Sequence, residues 1–279
     1  MSNGNSLREW GETAKYWTRH RHTIRTMFAP LTRALVEQAG IVPGQSVLDV
    51  AGGAGEPSLT IAEIVGPQGA VMCTDPIAEM IAAAEADARE RGLTNVQFRQ
   101  CPADALPFAD DTFDVVLSRL GAMFFPDPLA ALQEMLRVMK PGGCVALAVW
   151  HKSEVNPFCH LITDVVSRHV ASPPADPNAP NAFRFAEEGN LAGILKDAGA
   201  TNIVERIVKF DLAAPITPAG FWSMRSETSD TLRSKLRSLS AAQRLRIEDE
   251  VTEAVQEFFP DGHMNFPTQM LILTGAKSA

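Results

Sequence analysis

The sequence predicts an α/β fold: a doubly wound, mostly parallel seven-stranded sheet carrying a helical cap. Three observations lead there. Short apolar runs alternate with longer amphipathic stretches, as in chains that build a parallel sheet covered on both faces. The fourth of these runs, residues 112–118, is largely apolar (Thr-Phe-Asp-Val-Val-Leu-Ser) and reads as a central strand. The first, Val47-Leu48-Asp49-Val50, breaks into Ala51-Gly52-Gly53-Ala54-Gly55 and then a helix. In an open sheet, that junction places a small-molecule site at the carboxyl end of the first strand.

Taken in order, residues 10–40 read as helix in at least two pieces, broken near Pro30. Leu31, Ala34, Leu35 and Gln38 share a face, and Gly40 stands where a C-cap is expected. After a Pro43-Gly44 turn comes a strand over 46–50, then a helix near 57–65 that closes at Gly66-Pro67. Pro57 suits a first helical turn, where its missing N–H costs nothing. A second strand spans 70–74 and ends in Asp75; a helix follows over about 77–91 and stops at Gly92. Residues 96–100 and 112–118 are the third and fourth strands. Asp127-Pro128 opens a helix reaching Lys140, and Pro141-Gly142-Gly143 turns the chain into a fifth strand over 144–150.

Beyond Trp150 the pattern changes. A helix near 158–170 leads into a proline-rich, helix-incompatible loop over 172–180. A helix over 187–198, a strand over 203–212, a helical stretch over 218–259 and a closing strand over 269–275 complete the order. Leu232, Leu236, Leu239, Leu245, Ile247 and Val251 are the expected buried positions of the helical stretch. No repeat is evident, so the chain reads as one domain. Residues 1–45 form N-terminal lid helices, 46–212 and 268–279 the cofactor-binding core, and 213–267 a cap inserted between the last two strands.

A length of 279 residues fits one large α/β domain. The net charge of −8 argues against a nucleic-acid scaffold, which rests on clustered Lys and Arg. No apolar run is long enough to span a membrane, and the polar start of the chain lacks the apolar core of a signal peptide. A cytoplasmic enzyme is the expectation. Cys73, Cys101, Cys144 and Cys159 show no Cys-x-x-Cys spacing and read as free thiols. Histidines 20 and 22 are too close to share a helical face, and no His-x-x-x-His appears. No metal site is expected.

Two cofactors compete for the glycine turn. A dinucleotide wants Gly-x-Gly-x-x-Gly, but from Gly53 the chain runs Gly-Ala-Gly-Glu-Pro-Ser and the third glycine is missing. S-adenosylmethionine (SAM) has no pyrophosphate to cradle. It needs a turn for its amino-acid moiety, an acid for its ribose hydroxyls and a polar group for its adenine amine.

The residues resemble the class I SAM-dependent methyltransferases. Asp49-Val50-Ala51-Gly52-Gly53-Ala54-Gly55 resembles their Asp-x-Gly-x-Gly-x-Gly turn, with Ala51 in place of the first glycine. Asp75 matches the acid that binds ribose hydroxyls, and Ala103-Asp104 resembles the site where an aspartate meets the adenine amine. Phe113-Asp114-Val115-Val116-Leu117-Ser118 and Leu136-Arg137-Val138-Met139-Lys140-Pro141-Gly142-Gly143 resemble the fourth strand and the turn into the fifth. The resemblance runs from Val47 to Trp150 and is nearest to the branch that includes the quinone C-methyltransferases.

It implies SAM as cofactor, bound by Asp49, Ala51, Gly53, Gly55, Asp75, Pro76, Met80, Ala103, Asp104 and Ser118. Catalytic candidates hang from the ends of the fourth and fifth strands. His151 has a proton affinity suited to base work near neutrality, and Arg119 is placed to pin an acidic acceptor group. Tyr16, in a lid helix, is the third; Glu154 and Asn156 are weaker. Ser118-Arg119 stands where magnesium-dependent catechol-type methyltransferases keep an acid. Lys15, Arg19, His20, Arg21, His22 and Arg25 read either as a solvated face or as a lid attracting an anionic acceptor. Met123, Phe124, Phe125, Phe221, Trp222 and Met224 suggest a mostly apolar small-molecule acceptor, with Phe221 and Trp222 facing it. Nothing in the sequence decides between a monomer and a homodimer. An NAD-dependent oxidoreductase and a non-catalytic SAM-binding protein are the alternatives.

Overall fold

The computed structural model describes residues 3–170 and 179–278. Its sheet consists of β1 (Ser46–Val50), β2 (Ala70–Asp75), β3 (Val96–Gln100), β4 (Phe113–Arg119), β5 (Met139–Trp150), β6 (Thr201–Ala214) and β7 (Met264–Ala276). The order across the sheet is β3-β2-β1-β4-β5-β7-β6. The first five strands run parallel, and β7 lies antiparallel to both β5 and β6. Val47, Leu48, Val115, Val116, Leu117 and the run from Val145 to Val149 are essentially inaccessible, because helices cover both faces.

The helices are α1 (Asn3–Arg19), α2 (Arg21–Ala39), α3 (Ser58–Val65), α4 (Ala78–Glu90), α5 (Pro128–Val138), α6 (Pro157–His169), α7 (Asn190–Asp197), α8 (Pro218–Thr228), α9 (Asp230–Arg237) and α10 (Ala241–Val255). The chain winds outward from β1 through β2 to β3, then returns to the other side of β1 with β4. Asp49 therefore stands level with Cys73 on one side and Leu117 on the other. This reversal opens the crevice in which open α/β sheets hold ligands.

Three expectations need correction. The helical break falls at His20, and α2 passes through Pro30 without interruption. Proline removes one helical hydrogen bond, but Met27, Phe28, Leu31 and Leu35 are buried on both sides of it, and packing of that face outweighs the lost bond. The helix after Pro128 ends at Val138, and β5 already begins at Met139, which pairs with Phe113. The stretch from Pro218 divides into three helices at Ser229 and Ser240, whose hydroxyls accept from the amides of Leu232 and Gln243. Most of the proline-rich 172–180 segment lies outside the described residues.

Helices α8 to α10 fall between β6 and β7. They are joined to the sheet by a knot of rings: Phe221 stacks on Phe266 at 5.0 Å and meets Phe158 and Phe259 edge-on at 5.5 and 5.8 Å. Phe221 is fully buried here. It is core packing rather than the acceptor-facing side chain expected from sequence.

Leu245 is a further correction: it is 62% exposed, whereas Ile247 is inaccessible. Ile247→Ala is expected to cost ~2–5 kcal/mol, and Leu245→Ala to stay within ~0.5 kcal/mol. Denaturant unfolding of the two variants checks this; equal losses would place both side chains in the core.

Candidate active site

The turn after β1 carries positive φ at Ala51 (59°), Gly53 (57°) and Gly55 (109°). Two of the three are glycine, for which that conformation is unstrained. Ala51 is the departure from the family's pattern, and its cost is backbone conformation as well as an added methyl group. Its Cβ is accommodated because Gly121 faces it: a Cβ built on Gly121 would come within 2.7 Å of it. At Gly52 the constraint is contact, since a side chain there would meet Cys73 Sγ at 2.7 Å and Asp49 Oδ2 at 2.8 Å.

The acids ending the first two strands are buried. Asp75 Oδ2 accepts from the Gly53 N–H (3.0 Å) and Oδ1 from the Ile77 N–H (2.9 Å), so one carboxylate ties the glycine turn to the head of α4. Burial raises its pKa to about 6, against the opposing pull of those two amides. Asp49 accepts a 2.5 Å hydrogen bond from Ser58 Oγ on Oδ2, while Oδ1 is buried with no partner. Burial lifts its pKa to about 7, with the Ser58 hydroxyl and the Arg119 charge opposing.

At the end of β4, Ser118 is inaccessible and its Oγ has no partner. Arg119 donates to Thr32 Oγ1 (2.7 Å) and to the Glu56 carbonyl (3.0 Å), and its guanidinium lies over the Phe28 ring. Two of its donors are thus committed to holding α2 against the glycine turn. His151 follows β5 directly. It is 6% exposed, and both ring nitrogens are buried with no partner. Asn156 holds its loop, donating from Nδ2 to the carbonyls of His151, Lys152 and Gln269 and accepting on Oδ1 from the Gln269 amide. That full set of bonds makes Asn156 a clamp for the loop. Glu154 is exposed.

Helix α1 lies across the glycine turn. Ala14, Ile77 and Met80 form a small buried cluster with Trp10, Trp17 and Ala54 around it, and Trp10 meets Phe124 edge-on at 5.2 Å. The Trp17 indole N–H is buried with no partner. Sequence reading placed Tyr16 in this position. The structure turns Tyr16 instead toward a cleft of about 610 Å³ that it lines with Lys15, Glu79 and Arg233. Its ring faces Lys15 at 4.9 Å, Arg233 at 5.5 Å and Arg19 at 5.6 Å. The signal for Trp17 was its seven-residue spacing from Trp10, which puts both indoles on one helical face.

The basic run near the N-terminus is largely consumed in ion pairs. Arg19 and His20 both reach Glu227 of α8 (2.5 and 2.7 Å), and Arg21 reaches Glu90 of α4 (3.0 Å). Arg25 approaches Glu56 at 3.5 Å, which also accepts from Arg91 at 2.7 Å. Asp104 is exposed on a turn, Ala103 is half-buried against the core, and the Pro76 carbonyl accepts from Gln100. Among the described residues, no three His, Cys, Asp or Glu side chains gather as a metal site would require. No helix among them is long and apolar enough to cross a membrane.

Several buried polar atoms without partners lie on the residues that close the carboxyl ends of β1, β4 and β5 and on α1: Asp49 Oδ1, Ser118 Oγ, both His151 nitrogens and Trp17 Nε1; others, such as Arg91 Nε and Glu205 Oε1, lie away from them. Each costs about 1–3 kcal/mol when left unsatisfied. A polar ligand seated on the glycine turn fits this donor and acceptor set. SAM, which brings an amino group, a carboxylate and two ribose hydroxyls, has the matching chemistry.

Comparison with known proteins agrees. The pattern of the ubiE/COQ5 methyltransferase family matches residues 30–163. An uncharacterized protein of Mycobacterium tuberculosis is 31% identical over 257 residues, covering 90% of this chain and 88% of that one. The ubiquinone/menaquinone biosynthesis C-methyltransferase of Klebsiella pneumoniae is 32% identical over 182 residues, covering 61% of this chain and 72% of the relative. A SAM-dependent methyltransferase from Aquifex aeolicus, 26% identical, superposes with a TM-score of 0.54 over 70% of this chain and 91% of that structure. With its sheet order, its glycine turn and these relatives, the chain belongs to the ubiE/COQ5 family of SAM-dependent methyltransferases.

Proposed function

We propose that this enzyme methylates a small, mostly apolar acceptor held between the ends of β4 and β5 and helix α1, with His151 as the group that takes a proton from it. The observation that carries this reading is the pair of buried, unpartnered ring nitrogens of His151 directly beyond Trp150. A histidine used only for packing would normally donate to a carbonyl or carboxylate, as His20 and His169 here pair with Glu227 and Glu250.

SAM supplies an electrophilic methyl group on a sulfonium. The chain's task is to align the acceptor and exclude water, and alignment alone is worth ~7–11 kcal/mol. Asp75 holds the ribose. A carboxylate has about four lone-pair sites, and the two backbone amides leave capacity for two hydroxyls. Asp49 and Ser118 face the amino-acid moiety, with Ala51, Gly53 and Gly55 shaping its seat. Pro76 and Met80 lie along the nucleoside, and Ala103-Asp104 meets the adenine amine. Arg119 braces the turn through Thr32 and the Glu56 carbonyl. Trp17 and Trp10 roof the site, and ligands enter beneath α1.

His151→Asn is expected to lower kcat ~100-fold or more, the usual scale of general-base assistance, and to leave SAM affinity within about twofold. Calorimetry with SAM and turnover on quinol, phenol and amine acceptors test this. A variant that turns over like the wild type would remove His151 from the chemistry. Asp75→Asn is expected to weaken SAM binding by ~1.5–3 kcal/mol, and unchanged affinity would move the ribose elsewhere.

The pH dependence follows from the two acids. Their folded pKa values, about 7 and about 6, lie above the ordinary 3.8. Folding therefore binds their protons more tightly, and the stability this contributes is present at low pH and lost as pH rises through those values. SAM binding uses Asp75 in its ionised form, so affinity strengthens over the same interval. The rise in melting temperature given by saturating SAM is accordingly expected to be larger at pH 8 than at pH 5. A rise that is equal or larger at pH 5 would show that Asp75 does not meet the ribose as a carboxylate.

A further inference from the structure

The carboxylate near the end of β1 is served by one side chain. Ser58 Oγ donates to Asp49 Oδ2 at 2.5 Å, and among the described residues no other side chain hydrogen-bonds that carboxylate. Ser58 and Asp49 are both inaccessible. Ser58 opens α3, and a hydroxyl near a helix start commonly caps the free amides there. This one does not: α3 begins without a side-chain cap, and the Ser58 hydroxyl reaches nine residues back instead.

The packing around this bond separates the two carboxylate oxygens. A Cβ built on Gly52 would stand 2.7 Å from Cys73 Sγ, 2.8 Å from Asp49 Oδ2 and 3.1 Å from Ser58 Oγ. Oδ2 and its donor are therefore packed against the Gly52 backbone, with no room for even a methyl group between them. Oδ1 is buried with no partner. The other charged and titratable groups around Asp49 leave that oxygen free. Arg119, at the end of β4, acts through its charge, while its two terminal nitrogens donate to Thr32 and the Glu56 carbonyl. Glu56, in the turn, carries a like charge. The Cys73 thiol on β2 stays protonated, because burial pushes it up. A carboxylate turns easily about its last bond, so the hydroxyl is what decides which oxygen is spent on the fold.

We infer that Ser58 is a positioning residue: it holds Asp49 by one oxygen and so leaves the other for the ammonium group of the methyl donor. The inference rests on the proposed seat of the amino-acid moiety at Asp49. An ammonium brings N–H donors and a full positive charge, and a charge-assisted bond of this kind is about twice as strong as a neutral one. The hydroxyl has a second effect. Burial raises the pKa of Asp49 to about 7, and the Ser58 hydroxyl is the largest opposing influence, ahead of the Arg119 charge. It therefore keeps more of Asp49 ionised near neutrality. Ser58 acts through Asp49 and touches no reacting atom.

The test uses the full chain and two ligands, S-adenosylhomocysteine and 5′-methylthioadenosine, which share the adenosine and the thioether and differ in the amino-acid end. Calorimetry on the wild type is expected to show the first bound at least ~10-fold more tightly. Asp49→Asn and Ser58→Ala should each cut that preference ~5–10-fold, leave 5′-methylthioadenosine within about twofold, and give no further loss when combined. Ser58→Cys keeps the volume and offers only a weak donor, so it should match Ser58→Ala, whereas Ser58→Thr should keep the preference within about threefold. The pH at which the preference rises should move upward in Ser58→Ala, since no hydroxyl then favours the carboxylate. An unchanged preference in Ser58→Ala and Ser58→Cys, an equal loss for both ligands, or as large a loss in Ser58→Thr would overturn Ser58 as a positioning residue. A preference that survives Asp49→Asn would overturn the seat of the amino group at Asp49 instead.

Discussion

The fold around the site depends on one carboxylate. Asp75 ends β2, yet both its oxygens serve other segments: the amide of Gly53 in the turn after β1 and the amide of Ile77 at the head of α4. Parallel pairing sets the two strand ends side by side, and the carboxylate then fixes their turns relative to each other. The Thr74 carbonyl adds a backbone bond from Gly52. Removing the side chain would free two buried amides at once, which is why the position is demanding in structure even before a ligand arrives. A carboxylate whose two oxygens fix two separate turns leaves little room for substitution.

Glu56 has the corresponding role on the other flank. Its carboxylate takes Arg91 and Thr60, its carbonyl takes Arg119, and Arg25 stands close by. Helices α2, α3 and α4 and the end of β4 thus converge on one residue that is part of the glycine turn. The bonds are partly enclosed, so water and salt weaken them less than the exposed pairs. Position of the turn is therefore set from both sides, and the unpartnered atoms of Asp49, Ser118 and His151 are left as the polar surface that the fold itself does not use.

Most of this architecture was legible in the sequence because the signals were local. Apolar runs gave the strands, Asp127-Pro128 and Gly40 gave helix ends, and the order of acids after β1 and β2 gave the cofactor. What was not legible depended on tertiary packing. Pro30 reads as a breaker, but the faces on both sides of it are buried and α2 continues through it. Leu245 and Ile247 are equivalent in hydropathy and differ only in which side of α10 meets α6. Ser240 and Gln243 do carry a local capping-box signal that marks the start of α10. Tyr16 and Trp17 are adjacent, so a helix must send them to different faces, and rotation about the helix axis decided between them.

Helices α8 and α1 are held to the rest of the fold by different forces. On one side α8 is fastened to β7 and α6 through Phe221, Phe266, Phe158 and Phe259, fully or nearly fully buried rings in mutual contact. Parting those rings would expose several large apolar surfaces at ~25 cal/mol per Å². On the other side α1 rests on a small cluster at Ala14, Ile77 and Met80 and on ion pairs such as Arg19 with Glu227, in which the arginine side chain is 60% exposed. Exposed pairs of that kind contribute ~0–1 kcal/mol. Displacement of α1 therefore costs less than displacement of α8. The α8 side, locked ring on ring, is therefore the more rigid of the two.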